Sequence, residues 1–187
     1  YDPLMVRWSN VDAITGPDPL NWQPTADNSA GYLRIQSGSK IVAIVSTRQE
    51  TLIWTDTSLN SLQYLGTVEV FGLQEMSHEI TIMGPNAVIG ANNIIYWMGI
   101  NKFYTYSGRV DTLPCTLRQY IFDNINTTQD QLIIAGTNNQ FNEIIWFYAS
   151  ADSNEINTYV IYNHSENIWY YGKITRTAWV DSSLTTN

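Results

Sequence analysis

Cysteine is nearly absent: one in 187 residues, Cys115. That excludes an internal disulfide framework and a cysteine-based zinc site. Histidine is almost as scarce, with His78 and His164 lying 86 residues apart. Paired histidine ligands at short spacing are therefore missing too. Basic residues number 9 against 17 acidic ones, for a net charge of −8. An acidic balance of this kind opposes a surface that tracks nucleic-acid phosphates. Long apolar runs are also lacking. Ile41–Val45 (IVAIV) and Asn93–Ile100 (NIIYWMGI) are far too short to cross a bilayer, which needs about 20 residues as a helix. No secretory leader pattern opens the sequence, and position 1 is Tyr. The missing start Met leads us to expect a piece of a longer or processed protein.

Only 14% of residues are charged and 44% are hydrophobic, the reverse of a disordered composition. Aromatics are rich, with 7 Trp, 12 Tyr and 5 Phe. Asn and Thr are abundant, and strong helix formers are few. This composition predicts short strands joined by tight turns.

A repeat organises the chain. Three segments carry a Trp at the same place: ETLIWTD (Glu50–Asp56), NIIYWMG (Asn93–Gly99) and EIIWFYA (Glu143–Ala149). Trp54, Trp97 and Trp146 are 43 and 49 residues apart. A strand ending in Tyr follows each: Ser61–Gly66, Lys102–Gly108 and Asn157–Asn163. Another precedes each: Lys40–Thr47, Ala87–Ala91 and Gln131–Thr137. A fourth closes each unit: Thr67–Gly72, Arg109–Pro114 and Asn167–Gly172. Four antiparallel strands recurring every 40–50 or so residues are the signature of β-propeller blades. The expected fold is all-β, with about three four-stranded blades and one short inserted helix. A β-sandwich with accidental periodicity is the alternative.

The expected domain plan follows. Residues 1–37 form the end of a preceding blade and a Pro-rich loop. Residues 38–175 form three blades, with a helix near 114–126. Residues 176–187, including RTAWVDS (Arg176–Ser182), start a further blade or supply a closing strand. The loop Val11–Gly31 is the Pro-rich part: Pro17, Pro19 and Pro24, with Pro3 just ahead, are four of the six prolines. The helix reading rests on Leu117, Tyr120, Ile121, Asn124 and Ile125, spaced i, i+3, i+4, i+7 and i+8. Thr112 or Thr116 is its expected cap, with Pro114 in the first turn. Three blades cannot close a ring, so the blade edges have to be covered by further sequence or by another subunit.

Candidate chemistry is sparse. His78 stands near Glu75 and beside Glu79, a group able to do acid–base work, but its composition reads as a solvated turn. His164 sits in NHSEN, a hairpin-turn composition. Carboxylate pairs of the glycosidase type would be Asp12 with Asp18, Glu50 with Asp56, Asp123 with Asp130, or Asp152 with Glu155. ADSNE faintly suggests calcium ligation, without the Gly and distant Glu of an EF-hand loop. Cys115 reads as a buried structural thiol. Asn126 and Asn163 begin sequons, relevant only to a secreted eukaryotic protein. Trp169, Tyr170 and Tyr171, or Tyr104 and Tyr106, could stack sugars or bases. Packing between blades is the reading that their alternation favours. No GxSxG, P-loop, GxGxxG or HExxH occurs. We assign no catalytic, cofactor-binding or metal-binding residue and expect no enzymatic activity and no cofactor.

The order of motifs over about residues 7–183 resembles tail structural proteins of short-tailed bacteriophages, the nozzle, hub and "stabilization" group. The most specific stretch is Ile94–Asn126, with YWMG, FYTYSG and LPCTLRQYIF in succession. Proteins of that group are longer, so the chain corresponds to part of one. The resemblance implies a structural role in the virion tail, in a homo-oligomeric ring with other tail proteins. DNA would pass through the ring without specific binding, and no membrane insertion is implied. A net charge of −8 suits a conduit that repels a passing duplex. The alternative from a different class is a carbohydrate-binding or glycan-cleaving β-propeller.

Overall fold

The computed structural model describes residues 2–11, 19–175 and 179. Among these residues, fourteen strands form four antiparallel sheets, and the chain is all-β apart from one α-helix and short 3-10 turns. Two compact units divide it, Tyr1–Ile80 and Thr81–Asn187.

The first unit holds a ribbon and one meander. Strands β1 (Met5–Trp8) and β2 (Gly31–Arg34) pair from Met5↔Arg34 to Trp8↔Gly31. A Cβ at position 31 would fall 2.3 Å from the Trp8 ring, so this crossing admits only glycine. The meander runs β3 (Ile41–Ser46), β4 (Thr51–Thr55), β5 (Ser58–Tyr64) and β6 (Phe71–His78), in that spatial order. Leu4 and Ile35, flanking the ribbon, are buried with Ile53 of β4, and Val6, Ile41, Leu62 and Leu73 pack against them.

Two boundaries differ from the sequence reading. The third strand starts at Ser58 rather than Ser61, because the Thr55 hydroxyl accepts from the Ser58 amide and tightens the turn (2.9 Å). The fourth strand was expected at Thr67–Gly72, but Thr67–Val70 is the hairpin tip. Gly66 takes φ +65, the Leu65 amide donates to the Val70 carbonyl (2.9 Å), and pairing resumes at Tyr64↔Phe71. The β-branched residues of TVEV mimic a strand that the left-handed glycine forbids.

The second unit holds two meanders. One is β7 (Val88–Ala91), β8 (Ile94–Met98), β9 (Phe103–Tyr106) and β10 (Val110–Leu113). The other is β11 (Ile134–Asn138), β12 (Glu143–Tyr148), β13 (Thr158–Asn163) and β14 (Ile168–Lys173). Strand β11 begins three residues later than expected, since Gln131 and Leu132 end a 3-10 turn (Thr127–Leu132). The abundant asparagines have a local purpose. Asn92, Asn93, Asn142 and Asn167 have φ between 51 and 63°, the left-handed region that tight hairpins demand and asparagine tolerates best after glycine.

Trp54, Trp97 and Trp146 are each the fourth residue of the second strand of a meander, and each is fully buried. Within the second unit the meanders face each other across aromatic rings. Phe103 lies 4.8 Å from Trp146 and 4.7 Å from Trp169, and those two indoles stack at 6.0 Å. Trp146 Nε1 donates to the Ala87 carbonyl just before β7 (3.1 Å). The first strands of the two meanders are neighbours: Asn86 and Ile134 form a parallel bridge, and the Ala135 amide donates to the Asn86 carbonyl (2.7 Å).

The helix is shorter than the sequence predicts: α1 (Arg118–Asp123) has six residues, and Ile121 is its only buried side chain. Thr112 belongs to β10, and Leu117 occupies the N-cap with no side-chain cap bond. Tyr120 is exposed. The chain leaves the helix because Ile125 bridges Ser150, the Asn126 amide donates to the Ala149 carbonyl and the Ala151 amide to the Asn124 carbonyl (both 2.9 Å). Of the segment Arg176–Ser182, all but Trp179 lies outside the described residues, as do residues 12–18.

Trp146→Ala is expected to lower stability by about 3–5 kcal/mol, because it leaves a cavity between two aromatic walls. Trp146→Phe, which keeps a ring but loses the bond to Ala87, is expected to fall between. Urea unfolding followed by tryptophan fluorescence and circular dichroism measures both; a Trp146→Ala loss under 1 kcal/mol would contradict the packing.

Candidate functional site

The most elaborate polar architecture lies at one end of the second unit. The insertion between β10 and β11 meets two hairpin loops there, β8–β9 and β12–β13. Trp169 Nε1 donates to the Pro114 carbonyl (2.8 Å), tying the start of the insertion to β14. Arg118 Nε donates to the Asn101 carbonyl (2.7 Å), tying α1 to the β8–β9 loop. Asn126 Nδ2 donates to the Ser153 carbonyl (2.8 Å), while its Oδ1 accepts from Thr128 N (3.0 Å) and Thr128 Oγ1 (2.7 Å). Asn157 ties the base of the β12–β13 loop, accepting from Ser150 N (2.9 Å) and donating to Ser150 Oγ (2.8 Å).

Three tyrosines gather at this end. Tyr120 of α1 packs on Tyr171 of β14 with ring centroids 4.4 Å apart, and both rings are half-exposed. Beneath them Tyr148, the last residue of β12, is fully buried and its hydroxyl has no hydrogen-bond partner. Burial raises its pKa far above the ordinary value, and the neighbouring phenols Tyr120 and Tyr171 add to the rise. Burial thus disfavours the phenolate here. Tyr120 is also shifted upward, first by desolvation and then by Tyr171. Sequence reasoning had Tyr171 as a stacking candidate and Tyr120 as helix core. Tyr148 went unnoticed, because EIIWFYA does not reveal which strand end the insertion covers.

Cys115 lies in the same insertion, partly buried. Burial pushes its thiol up to about 11, against a small lowering by the Leu117 backbone bond. That shift disfavours its thiolate at neutral pH, and the thiol is only partly buried where the sequence reading expected a buried one.

The other candidates are scattered. His78 is the last residue of β6 rather than part of a turn, and its Nδ1 sits against Glu75 Oε1. Residues three apart in a regular strand point to opposite faces. Here a bulge between Glu75↔Asn60 and Ser77↔Leu59 resets the alternation and puts both on one face. The imidazole is largely exposed. His164 occupies the β13–β14 turn and stacks on Tyr96 at 6.3 Å.

Glu50 and Asp56 flank the two ends of β4, about 20 Å apart at ~3.3 Å per residue. Glycosidase carboxylates need about 5–9.5 Å, so the strand itself separates them. Glu50 instead accepts from Ser61 Oγ and Gln63 Nε2. Asp56 accepts from Ser39 N (2.7 Å) and Ser39 Oγ (2.6 Å). Asp12 and Asp18 lie outside the described residues. Asp123 ends α1, Asp130 lies in the following 3-10 turn, and Asp152 and Glu155 lie in the β12–β13 loop. Among the described residues, no group of three or more His, Cys, Asp or Glu is placed to hold a metal. Asn163, like Asn126, has its carboxamide engaged, accepting from Ser165 N and Glu166 N and donating to the Phe141 carbonyl. Tyr104 stacks on Trp97 at 5.3 Å, and Tyr104, Tyr106 and Trp169 are buried in packing. No helix among the described residues is long and apolar enough to cross a membrane.

Neither the protein-family models nor the curated proteins contain a match to the chain.

Two measurements check this chemistry. Alkylation of Cys115 in the native protein at pH 8 is expected to be about a hundredfold slower than for an unperturbed thiol, because the thiolate fraction is that much smaller. An ordinary rate would refute the burial. For Asp56, burial alone raises the pKa, but the Ser39 hydroxyl and the backbone amides of Ser39, Lys40 and Asp56 outweigh it and hold the group below 3.8. The stabilisation is therefore complete above the unfolded value and is lost as pH falls through the folded one. Asp56→Asn should be less stable than wild type by a constant margin from pH 5 to 7, the margin closing below 3.8. Thermal melts across that range read the difference.

Proposed function

We propose that the chain is a run of β-propeller blades with a structural role in a bacteriophage tail, in the nozzle or hub ring around the DNA exit channel. The observation that carries the reading is the threefold meander with a buried Trp at the same strand position each time. The side-by-side, parallel first strands β7 and β11 supply the neighbour relation that blades have around a propeller axis. The resemblance of Ile94–Asn126 to the tail group adds the biological context.

Two further features support a scaffold over a catalyst. Cleavage of a glycan needs a pair of carboxylates held together at one place. Here β3, β7 and β11 (IVAIVS, VIGA and IAGTN) carry no charged residue. Among the described candidates, Glu50 and Asp56 are instead engaged by neighbouring side chains and amides at the two ends of β4. A net charge of −8 suits passage of DNA without capture. One observation favours the carbohydrate alternative: the half-exposed Tyr120–Tyr171 pair offers ring faces to a sugar.

Negative-stain electron microscopy and sedimentation of the purified chain separate the readings. Closed rings, with no saturable duplex-DNA binding at physiological salt, are expected. A monomer at every concentration, with saturable glycan-array binding that Tyr120→Ala and Tyr171→Ala abolish, would overturn the tail reading for the carbohydrate one.

A further inference from the structure

Within the second unit, the insertion brings two surface tyrosines together from distant parts of the chain. Tyr120 belongs to α1 and Tyr171 to β14, yet their ring centroids lie 4.4 Å apart with planes at 38°. Phe103 and Trp169, packed in the interior of the same unit, are no closer, at 4.7 Å. Tyr120 is 42% exposed and Tyr171 is 47% exposed. A hydrogen bond joins the two phenols, and Asn124 bonds the Tyr120 phenol as well. Two rings joined at their oxygens also bring together the carbons beside those oxygens, the Cε positions.

Two phenols in contact and open to solvent are what oxidative coupling of tyrosine requires. One-electron oxidation takes an electron and the hydroxyl proton from each phenol. Each phenoxyl radical carries part of its unpaired electron on Cε. Two such carbons form one carbon–carbon bond. Their ring hydrogens then move as protons to the oxygens, which restores both phenols. The pair has lost two hydrogen atoms in all. One hydrogen peroxide takes up the two electrons and two protons and becomes two waters. Haem peroxidases are the class of oxidant that delivers such one-electron steps. Holding the partners side by side replaces a chance encounter of two radicals with an intramolecular step. Exposed side chains change rotamer within picoseconds to nanoseconds, so the rings can align for coupling.

The surroundings confine the reaction to this pair. Tyr148 lies beneath both rings but is fully buried, out of reach of a protein oxidant. Tyr96 and Tyr162 also meet, but at 6.2 Å, and both are buried. Tyr64 in the first unit is 70% exposed, but it packs against Phe71, which has no hydroxyl to oxidise. At Tyr120 the bond would also have a structural effect. Helix α1 buries only Ile121 and has no side-chain bond at its N-cap, so a covalent tie to β14 would hold an element that packing holds lightly.

We propose that Tyr120 and Tyr171 are a modification site, coupled by a peroxidase-type oxidant into a dityrosine bond that fastens the insertion to β14. The bond forms within one chain, so it is independent of the ring reading.

Treating the purified chain at low concentration with a haem peroxidase and hydrogen peroxide tests it. The expected product is a monomer with dityrosine fluorescence. Its digest should contain the Tyr120 peptide joined to the Tyr171 peptide, lighter than their sum by two hydrogens. Tyr120→Phe and Tyr171→Phe keep the ring packing, so their thermal unfolding should match wild type. Each should lower the intramolecular product about tenfold or more, because the remaining phenol has no partner in contact. Tyr64→Phe should leave the yield unchanged. Intramolecular product at wild-type yield in either pair variant would overturn the proposal. So would a wild-type chain that yields only dimers cross-linked between molecules. A wild-type chain that yields no dityrosine while free tyrosine in the same mixture is coupled would overturn it as well.

Discussion

Aromatic packing across the gap between neighbouring meanders is the interaction on which the second unit depends. Phe103 of one sheet sits against both Trp146 and Trp169 of the other, and the two indoles stack on each other. Rings of this size bury 150–250 Å² or so each and add orientation-dependent attraction beyond area. The indole N–H groups are used as well. Trp146 reaches the Ala87 carbonyl ahead of β7, and Trp169 reaches the Pro114 carbonyl at the start of the insertion. One set of side chains therefore fixes the sheet spacing, the neighbouring first strands and the docking of α1.

Low charge is affordable because asparagine, serine and threonine do the work at the turns. Asparagines in the left-handed region close hairpins, and others bind backbone groups across loops, as Asn126 and Asn157 do in the β12–β13 region. In the first unit, Ser37, Thr55, Ser58 and Asn60 form a chain of side-chain bonds of 2.7–3.0 Å around the β4–β5 turn. Buried hydroxyls and amides satisfied in this way cost little, whereas buried charges would not. Glu50 and Asp56 stand at opposite ends of β4.

The second strands were legible because burial on both faces leaves a run of apolar residues with no alternation to misread, and a Trp stands at a fixed place in each. Their flanking strands were legible where Asn or Gly marked the turn. The fourth strand of the first meander was not. TVEV has the composition of a strand, and only the pairing of Tyr64 with Phe71 reveals it as a projecting tip. The helix periodicity of Leu117–Ile125 was likewise half a signal. Ile121 and Ile125 are buried as the pattern requires, but Ile125 bridges Ser150 in extended backbone and Tyr120 faces solvent.

By itself, then, the sequence determined the all-β class, the three meanders and the burial of Trp54, Trp97 and Trp146, because strand period and turn chemistry are local properties of the chain. Tertiary structure alone decided which distant groups meet. The bulge in β6 brings Glu75 onto the face of His78, the insertion buries the Tyr148 hydroxyl under Tyr120 and Tyr171, and β4 holds Glu50 away from Asp56. Register shifts and loop docking set these distances, and neither leaves a periodic mark in the order of residues.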